Sequence, residues 1–129
     1  LEKELAHLKT YLRIESHRFK ELEVLYDISE EIIEKQVPNF ILQPIVENSI
    51  KHGISKMEAA KKIKISAQQA DDQLVFNVFN EGPQLKKDKV DGIGLSNIRK
   101  RLQSFYEEKS SFDIRSLENG VETEIRIPA

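Results

Sequence analysis

An amide, an ammonium group and an imidazole recur at helical spacing near the middle of the chain, at Asn48, Lys51 and His52. A helix turns by roughly 100° per residue, so these three side chains share one face of the helix predicted around them. An amide oxygen can ligate a hard cation such as Mg²⁺, and a lysine can meet a phosphate group as a point charge. His52 either lines the phosphate side of the same pocket or packs near the helix end. Together they predict a site for a magnesium-bound phosphate compound.

Two glycines predict the anion-binding half of the same pocket. Gly92 and Gly94 stand before a helix predicted from Leu95 to about Glu107. A glycine pair lets the backbone approach a ligand, and a helix N-terminus offers N–H groups to an anion. Leu95 and Asn97 would then open the helix beside the phosphate groups. A lone Gly-x-Gly is frequently only a turn, but its place before a helix favours a nucleotide pocket.

Both groups stand in sequence motifs that resemble a known family. The first motif, LQPIVENSIKHGI, resembles the N box of the ATP-binding domain of sensor histidine kinases, and the second, GIGLSNIRKRL, resembles its G2 box. The sequences of both motifs resemble those of the LytS/YehU-type subfamily, within the wider group that includes gyrase and MutL. The resemblance extends over nearly the whole chain, from about Leu1 to Ile127-Pro128.

The resemblance implies a function, two cofactors and several partners. ATP and Mg²⁺ would bind, with Asn48 as the metal ligand, and the γ-phosphoryl group would pass to a histidine upstream of this chain and then to a response regulator. That histidine would belong to the chain's own dimerisation and phosphoacceptor domain, and the full-length protein would be a homodimer. His7 and His17 do not stand in the family's acceptor context. The chain would be a cytoplasmic domain of a bacterial protein that missing upstream segments anchor in the inner or plasma membrane.

The adenine end departs from the family pattern at two places. Asn80 stands where an aspartate usually accepts a hydrogen bond from the adenine amino group, with Gly82 as the following glycine and Gln84 in place of a second one. Val121 replaces a threonine whose hydroxyl supports adenine through water. An asparagine oxygen can still accept the bond, but charge-assisted bonds are roughly twice as strong as neutral ones. Adenine binding is therefore expected to be weak.

Glu47 is a candidate catalytic residue, because related ATPases use an N-box glutamate as a general base. It is adjacent to Asn48 and therefore lies roughly 100° away around the helix, so the two side chains cannot point the same way. A structural or partner-facing carboxylate is favoured over a catalytic one. Two other functions stay open: a degenerate nucleotide-binding domain that serves as an interaction scaffold, and a serine kinase or ATPase of the same superfamily.

Composition limits the remaining possibilities. The chain has 129 residues, of which 39% are hydrophobic and 33% charged, as in one soluble globular domain. A net charge of −2 gives no electrostatic reason to bind nucleic acid or an anionic membrane. There is no cysteine, and no apolar run approaches the roughly 20 residues that span a bilayer. Because the chain opens within a helical pattern, it is expected to be a fragment.

The first twenty residues predict an amphipathic helix. Leucines recur at 4-3-4 spacing, and a phenylalanine completes the stripe, namely Leu1, Leu5, Leu8, Leu12 and Phe19. We favour the end of a dimerisation or phosphoacceptor-domain helix, whose stripe expects a partner chain, over a helix packed on its own domain. The predicted domains are accordingly residues 1–20 and an ATP-binding domain at residues 21–129.

The rest of the chain predicts a two-layer α/β sandwich. The sheet would be mixed and largely antiparallel, with the helices on one face, as in the Bergerat-type ATP-binding fold. Strands are expected at 22–28, in a hairpin around 63–67 and 74–78, and at 111–117 and 121–127. Pro38-Asn39 signals the start of the N-box helix, and either this helix is kinked at Pro44 or the regular helix begins close to Pro44. In the last helix Leu95, Ile98, Leu102 and Phe105 have core spacing, and residues 83–91 predict a mobile lid.

Overall fold

The computed structural model describes residues 1–19, 21–38, 41–52, 61–82 and 93–129. The helices are α1 (Glu2–Arg18), α2 (Gln43–His52) and α3 (Ile93–Tyr106), and the strands are β1 (Leu22–Ile28), β2 (Lys61–Ala70), β3 (Gln73–Glu81), β4 (Ser111–Leu117) and β5 (Gly120–Pro128). The same described ranges also contain two single turns of 3₁₀ helix, Glu30–Ile32 and Glu107–Lys109.

The five strands form one sheet in the order β1-β2-β3-β5-β4. β1 pairs with β2 in parallel, and the other three pairs are antiparallel. Both hairpins have tight turns, and Asp71 adopts φ 56° in the turn between β2 and β3, a conformation that aspartate tolerates better than most residues. The mixed, largely antiparallel sheet predicted from the sequence is therefore confirmed.

The sheet has one apolar and one polar face. Side chains alternate along each strand, and one set is buried beneath the helices, including Ile63, Ile65, Phe76, Ile125 and Ile127. The opposite face carries charged pairs, such as Arg115 with Glu124 at 3.4 Å and Arg126 with Glu124 at 2.8 Å. The helices therefore cover a single face, as the predicted two-layer sandwich requires.

The apolar stripe of α1 is part of this core. Leu5, Leu8 and Leu12 are buried in the same cluster as the helix-facing side of the sheet. The prediction that this stripe waits for a partner chain is therefore wrong for these three leucines. The physical reason is that a sheet with one apolar face must be covered, and α1 supplies part of the cover. Ile14 of the same helix does not belong to this core and is 61% exposed.

α3 differs from its prediction at both ends. It begins at Ile93, so Gly94 lies inside its first turn instead of before it. Ile98 and Leu102 are buried as expected, but Phe105 is 62% exposed and Tyr106 packs against the core instead. Helical spacing places both aromatic residues within roughly 60° of the apolar stripe, so the neighbouring elements decide which one is covered.

α1 and α2 are also in contact, and charged residues of both helices act on Tyr11. Burial first, and then the negative charges of Glu15 and Glu47, raise the pKa of Tyr11 to about 12, while Arg18 opposes the shift. Glu15 belongs to α1 and Glu47 to α2. Tyr11 therefore lies where the charges of both helices reach it.

The substitution Leu8→Ala tests whether α1 belongs to this core. Leu8 is completely buried, so the truncation should lower the free energy of unfolding by about 2–5 kcal/mol. Ile14→Ala on the exposed side of the same helix is the matched control and should change it by less than about 0.5 kcal/mol. Denaturant unfolding of both variants would measure the difference. Equal, small effects would contradict the packing of α1.

The raised pKa of Tyr11 predicts a loss of stability at high pH. The folded state holds its proton up to about pH 12 and the unfolded chain only to about the ordinary 10.0, so the folded state binds more protons between these values. The free energy of unfolding should therefore fall as pH rises through this window, and Tyr11 should contribute no slope near neutrality. Tyr11→Phe should flatten the fall, measured by denaturant unfolding at several alkaline pH values. An unchanged slope would contradict the assignment.

Candidate functional site

The first turn of α2 is defined by an acidic side chain from α1. The Oε1 atom of Glu4 accepts hydrogen bonds from the backbone N–H groups of Leu42, at 2.6 Å, and Gln43, at 3.2 Å. The N–H of Val46 donates to the carbonyl oxygen of Leu42 at 3.0 Å, which is the first bond of the helix. Pro44 lies in the first turn, where its missing N–H is not needed. Of the two predicted starts, the one close to Pro44 is confirmed.

The predicted metal and phosphate ligands lie on the second half of α2. Asn48 is half-buried and Lys51 is exposed. They are three residues apart and hence roughly 60° apart around the helix, so both can reach a ligand on one side. His52 is the last residue of α2, but its side chain lies outside the described part of the structure. The helix therefore presents an amide and a cation together, as the sequence predicts.

Glu47 is turned toward α1. Its Oε1 atom accepts a hydrogen bond from the Nε2 of Gln43 at 3.1 Å, and its charge raises the pKa of Tyr11. Gln43 is the first residue of α2, and Tyr11 belongs to α1. This geometry favours the structural interpretation of Glu47 over that of a catalytic base.

Asn80 and Val121, the two departures from the family pattern, are directly opposite each other in the sheet. Asn80 is only 3% exposed, and its Nδ2 donates to the carbonyl oxygen of Glu81 at 3.3 Å. This orientation leaves Oδ1 as the acceptor of the side chain. Gly120, beside them, must lack a side chain, because a Cβ there would overlap the carbonyl oxygen of Asn80. Both changes therefore affect one point of the helix-facing side of the sheet.

Gly82 ends β3 in a conformation that favours glycine. Its φ is 150°, and its N–H donates to the carbonyl oxygen of Asn119 at 3.3 Å. Glycine adopts such positive φ values without the steric cost that a side chain brings. Gly82 thereby ties the end of β3 to the turn between β4 and β5. This backbone role exists whether or not Gly82 also binds a nucleotide.

The glycine-rich half of the predicted pocket is only partly described. Gly94 and Leu95 belong to the first turn of α3, and Asn97 is exposed on its second turn. α3 is in contact with α2, so the two motif-bearing helices are neighbours. Gly92 and the predicted lid at 83–91 lie outside the described residues, as does the side chain of Leu95.

Three buried polar residues were not predicted from the sequence, namely Glu4, Ser49 and Thr123. The burial of Glu4 could have been predicted, because Glu4 lies three residues after Leu1 and four before Leu8. This spacing places it on the apolar face of α1. A charge at such a position needs a partner in the core. Which partner it has depends on the tertiary packing of α2, which no local pattern predicts.

Two negative observations concern metals and membranes. Within the described ranges, no group of three or more His, Asp or Glu side chains could hold a metal ion. No helix in that same part of the chain is long and apolar enough to cross a membrane.

Comparison with curated proteins finds sensor kinases. The sensor histidine kinase BtsS of Escherichia coli K12 is 37% identical over 102 residues, which cover 78% of this chain and 18% of BtsS. The sensor protein LytS of Staphylococcus saprophyticus is 30% identical over 142 aligned residues, which cover 99% of this chain and 24% of LytS. The chain thus spans at most a quarter of the length of these two relatives. A scan against models of known protein families gives no match.

Solved structures share the fold. The catalytic domain of histidine kinase ThkA superposes with a TM-score of 0.76 at 18% identity, covering 99% of this chain and 92% of that domain. ThkA in complex with the response regulator TrrA superposes with a TM-score of 0.73 at 19% identity, covering 99% of this chain and 40% of that one. The chain belongs to the LytS-type sensor histidine kinases and has the fold of a histidine kinase catalytic domain.

Proposed function

We propose that this chain is the ATP-binding catalytic domain of a two-component sensor histidine kinase. It would hold Mg-ATP so that the γ-phosphoryl group passes to a histidine in an upstream domain, and from there to a response regulator. The observation that carries this proposal is the contact between α2, which bears the amide and the cation, and α3, which bears the second motif. The family membership and the fold support it.

Each side chain of the proposed site has a role that its chemistry fits. The Asn48 amide oxygen would ligate Mg²⁺, which keeps several waters and takes few protein ligands. Lys51 would meet phosphate oxygens, and the N-terminal N–H groups of α3 would face the same anion. Bound ATP supplies the phosphoryl group. The residues of the chain position it and stabilise its charge, which is most of the protein's work in phosphoryl transfer.

The nucleotide base would reach the sheet at Asn80. A buried polar side chain is costly unless its hydrogen-bonding capacity is used, and the bond from Nδ2 to Glu81 is a long one. The Oδ1 atom of Asn80 would accept the hydrogen bond of the adenine amino group. Because Asn80 is uncharged and Val121 lacks a hydroxyl, this part of the site would bind weakly.

The partners we propose lie outside the chain. Residues 1–20 would be the end of a dimerisation or phosphoacceptor-domain helix that packs on the ATP-binding domain formed by residues 21–129. Upstream segments would anchor the full-length homodimer in a bacterial membrane. ThkA has been solved in complex with a response regulator, which supports a regulator as the partner of this domain.

A degenerate domain that acts as an interaction scaffold is the second candidate function. The specific observation in its favour is that Asn80 and Val121, both departures from the family pattern, pair across the sheet at one point. A serine kinase or ATPase receives no comparable support, because the carboxylate of Glu47 bonds to Gln43 within its own helix.

Calorimetric titration with Mg-ADP and metal-free ADP tests the main proposal. The wild-type chain should bind Mg-ADP with a Kd in the tens of micromolar, and a Kd of about 40 μM corresponds to roughly −6 kcal/mol. Asn48→Ala should remove most of the gain that Mg²⁺ gives and leave the metal-free affinity little changed. Gln43→Ala, which removes an amide from the first turn of α2, is the matched control and should keep the gain.

The same titration separates the alternatives. No binding at millimolar nucleotide, with the chain folded, would favour the scaffold. Equal losses with and without Mg²⁺ in Asn48→Ala would show that this asparagine is structural.

Asn80→Asp tests the adenine contact. Restoring a carboxylate would make the hydrogen bond to the adenine amino group charge-assisted, so affinity for ADP should rise several-fold. GDP presents a carbonyl oxygen at that position and should gain nothing, so the ADP-to-GDP affinity ratio is the internal control. The ratio would be measured by calorimetry on the wild type and the variant. An unchanged ratio would contradict the assignment of Asn80.

A further inference from the structure

Glu4 is the one charged residue among the buried residues of the described ranges. Glu4 is 8% exposed, and the other buried polar side chains in those ranges, Ser49, Asn80 and Thr123, are all uncharged. Its bond to the Leu42 N–H measures 2.6 Å, and the same Oε1 atom reaches the Gln43 N–H at 3.2 Å. A buried carboxylate is costly unless it is well hydrogen-bonded. Glu4 therefore depends on the start of α2 for its place in the core.

The start of α2 depends equally on Glu4. The first four N–H positions of a helix have no partner within the helix, and here they belong to Leu42, Gln43, Pro44 and Ile45. Glu4 takes the first two, and proline has no N–H to satisfy. Only one donor of the four is left for other partners. The negative charge also lies at the positive end of the helix dipole, where it is stabilising.

We propose that Glu4 is a positioning residue for the nucleotide site, acting through α2. This role rests on the proposed function. With a rise of 1.5 Å per residue, Asn48 lies roughly 7.5 Å along the axis from Gln43. A helix this short moves as one body, so the point at which Glu4 holds its start fixes where Asn48 and Lys51 stand relative to the nucleotide.

The contact also couples α1 to the nucleotide. Glu4 holds α2 at its start, and the charge of Glu47 reaches Tyr11 of α1 farther along, so the two helices interact at separate places. A displacement of α1 would have to move α2 or break the two bonds to Glu4. Coupling free energies are reciprocal, so nucleotide binding in turn favours the α1 position that keeps these bonds.

Glu4→Gln tests the role, with Glu2→Gln as the matched control. Both substitutions remove one negative charge from the first turn of α1, but Glu2 is exposed. Mg-ADP affinity would be measured by calorimetry under conditions where circular dichroism shows each variant folded. Glutamine keeps an acceptor oxygen but loses the charge at the start of α2, and this weaker cap predicts an affinity for Mg-ADP about threefold to tenfold weaker for Glu4→Gln. Glu2→Gln should bind like the wild type.

A second measurement separates positioning from mere stability. In the wild type, amide exchange at Leu42 and Gln43 should slow when Mg-ADP binds, and in Glu4→Gln this response should be smaller. If Glu4→Gln does not fold, Glu4→Asp takes its place, because it keeps the charge but withdraws it by one methylene. It should bind Mg-ADP more weakly than the wild type.

The outcomes are distinct. A folded Glu4→Gln or Glu4→Asp with lower thermal stability but wild-type affinity would overturn the positioning role and leave the proposed function intact. A folded wild-type chain that binds no Mg-ADP would overturn both. A loss of affinity in Glu4→Gln with no effect of Glu2→Gln would support the role.

Discussion

The architecture depends on one constraint, which is that a sheet with a single apolar face must be covered on that face alone. Three helices meet this requirement, and α1 is among them, since Leu8 is completely buried against the sheet. The constraint also places the residues of the proposed site. α2 must face the sheet with its apolar side, so its polar residues Asn48 and Lys51 lie outside that side, half-buried and exposed respectively. The proposed site would thus be assembled by elements that bury apolar surface.

Much of this arrangement could be predicted from the sequence, because the strands and hairpins carry local signals. Alternating residues predict β1 with the ends that it has in the structure, Leu22–Ile28, and turn-forming residues separate the two strands of each hairpin. The α1 stripe was also visible, but its partner was assigned wrongly. Periodicity reveals that a helix has an apolar face and cannot reveal whether the same chain or another one covers it. The predicted burial of Phe105 was wrong for a related reason, because helical spacing alone cannot decide whether Phe105 or Tyr106 faces the core.

The residues of the proposed site could be predicted from the sequence better than the contacts between them. Asn48 and Lys51 share a helix face by spacing alone, and the sheet register then shows that Asn80 and Val121 are neighbours. The two departures from the family pattern, which are far apart in the sequence, therefore alter a single region of the proposed site. The bond from Glu4 to the start of α2 joins residues 38 positions apart. A contact between residues so far apart in the sequence leaves no local pattern, so this hydrogen bond could not be predicted from the sequence.

The parallel pairing of β1 with β2 has a consequence for how the chain comes together. Leu22 is aligned with Lys61, whereas each antiparallel hairpin closes across a two-residue turn. Hairpins are local contacts that form quickly, and a parallel pair must first close a long loop. During synthesis α1 and β1 leave the ribosome before the strand they require exists. The apolar stripe of α1 is then exposed to water until β2 and its hairpin arrive, and in that interval it is open to chaperones and to misassembly.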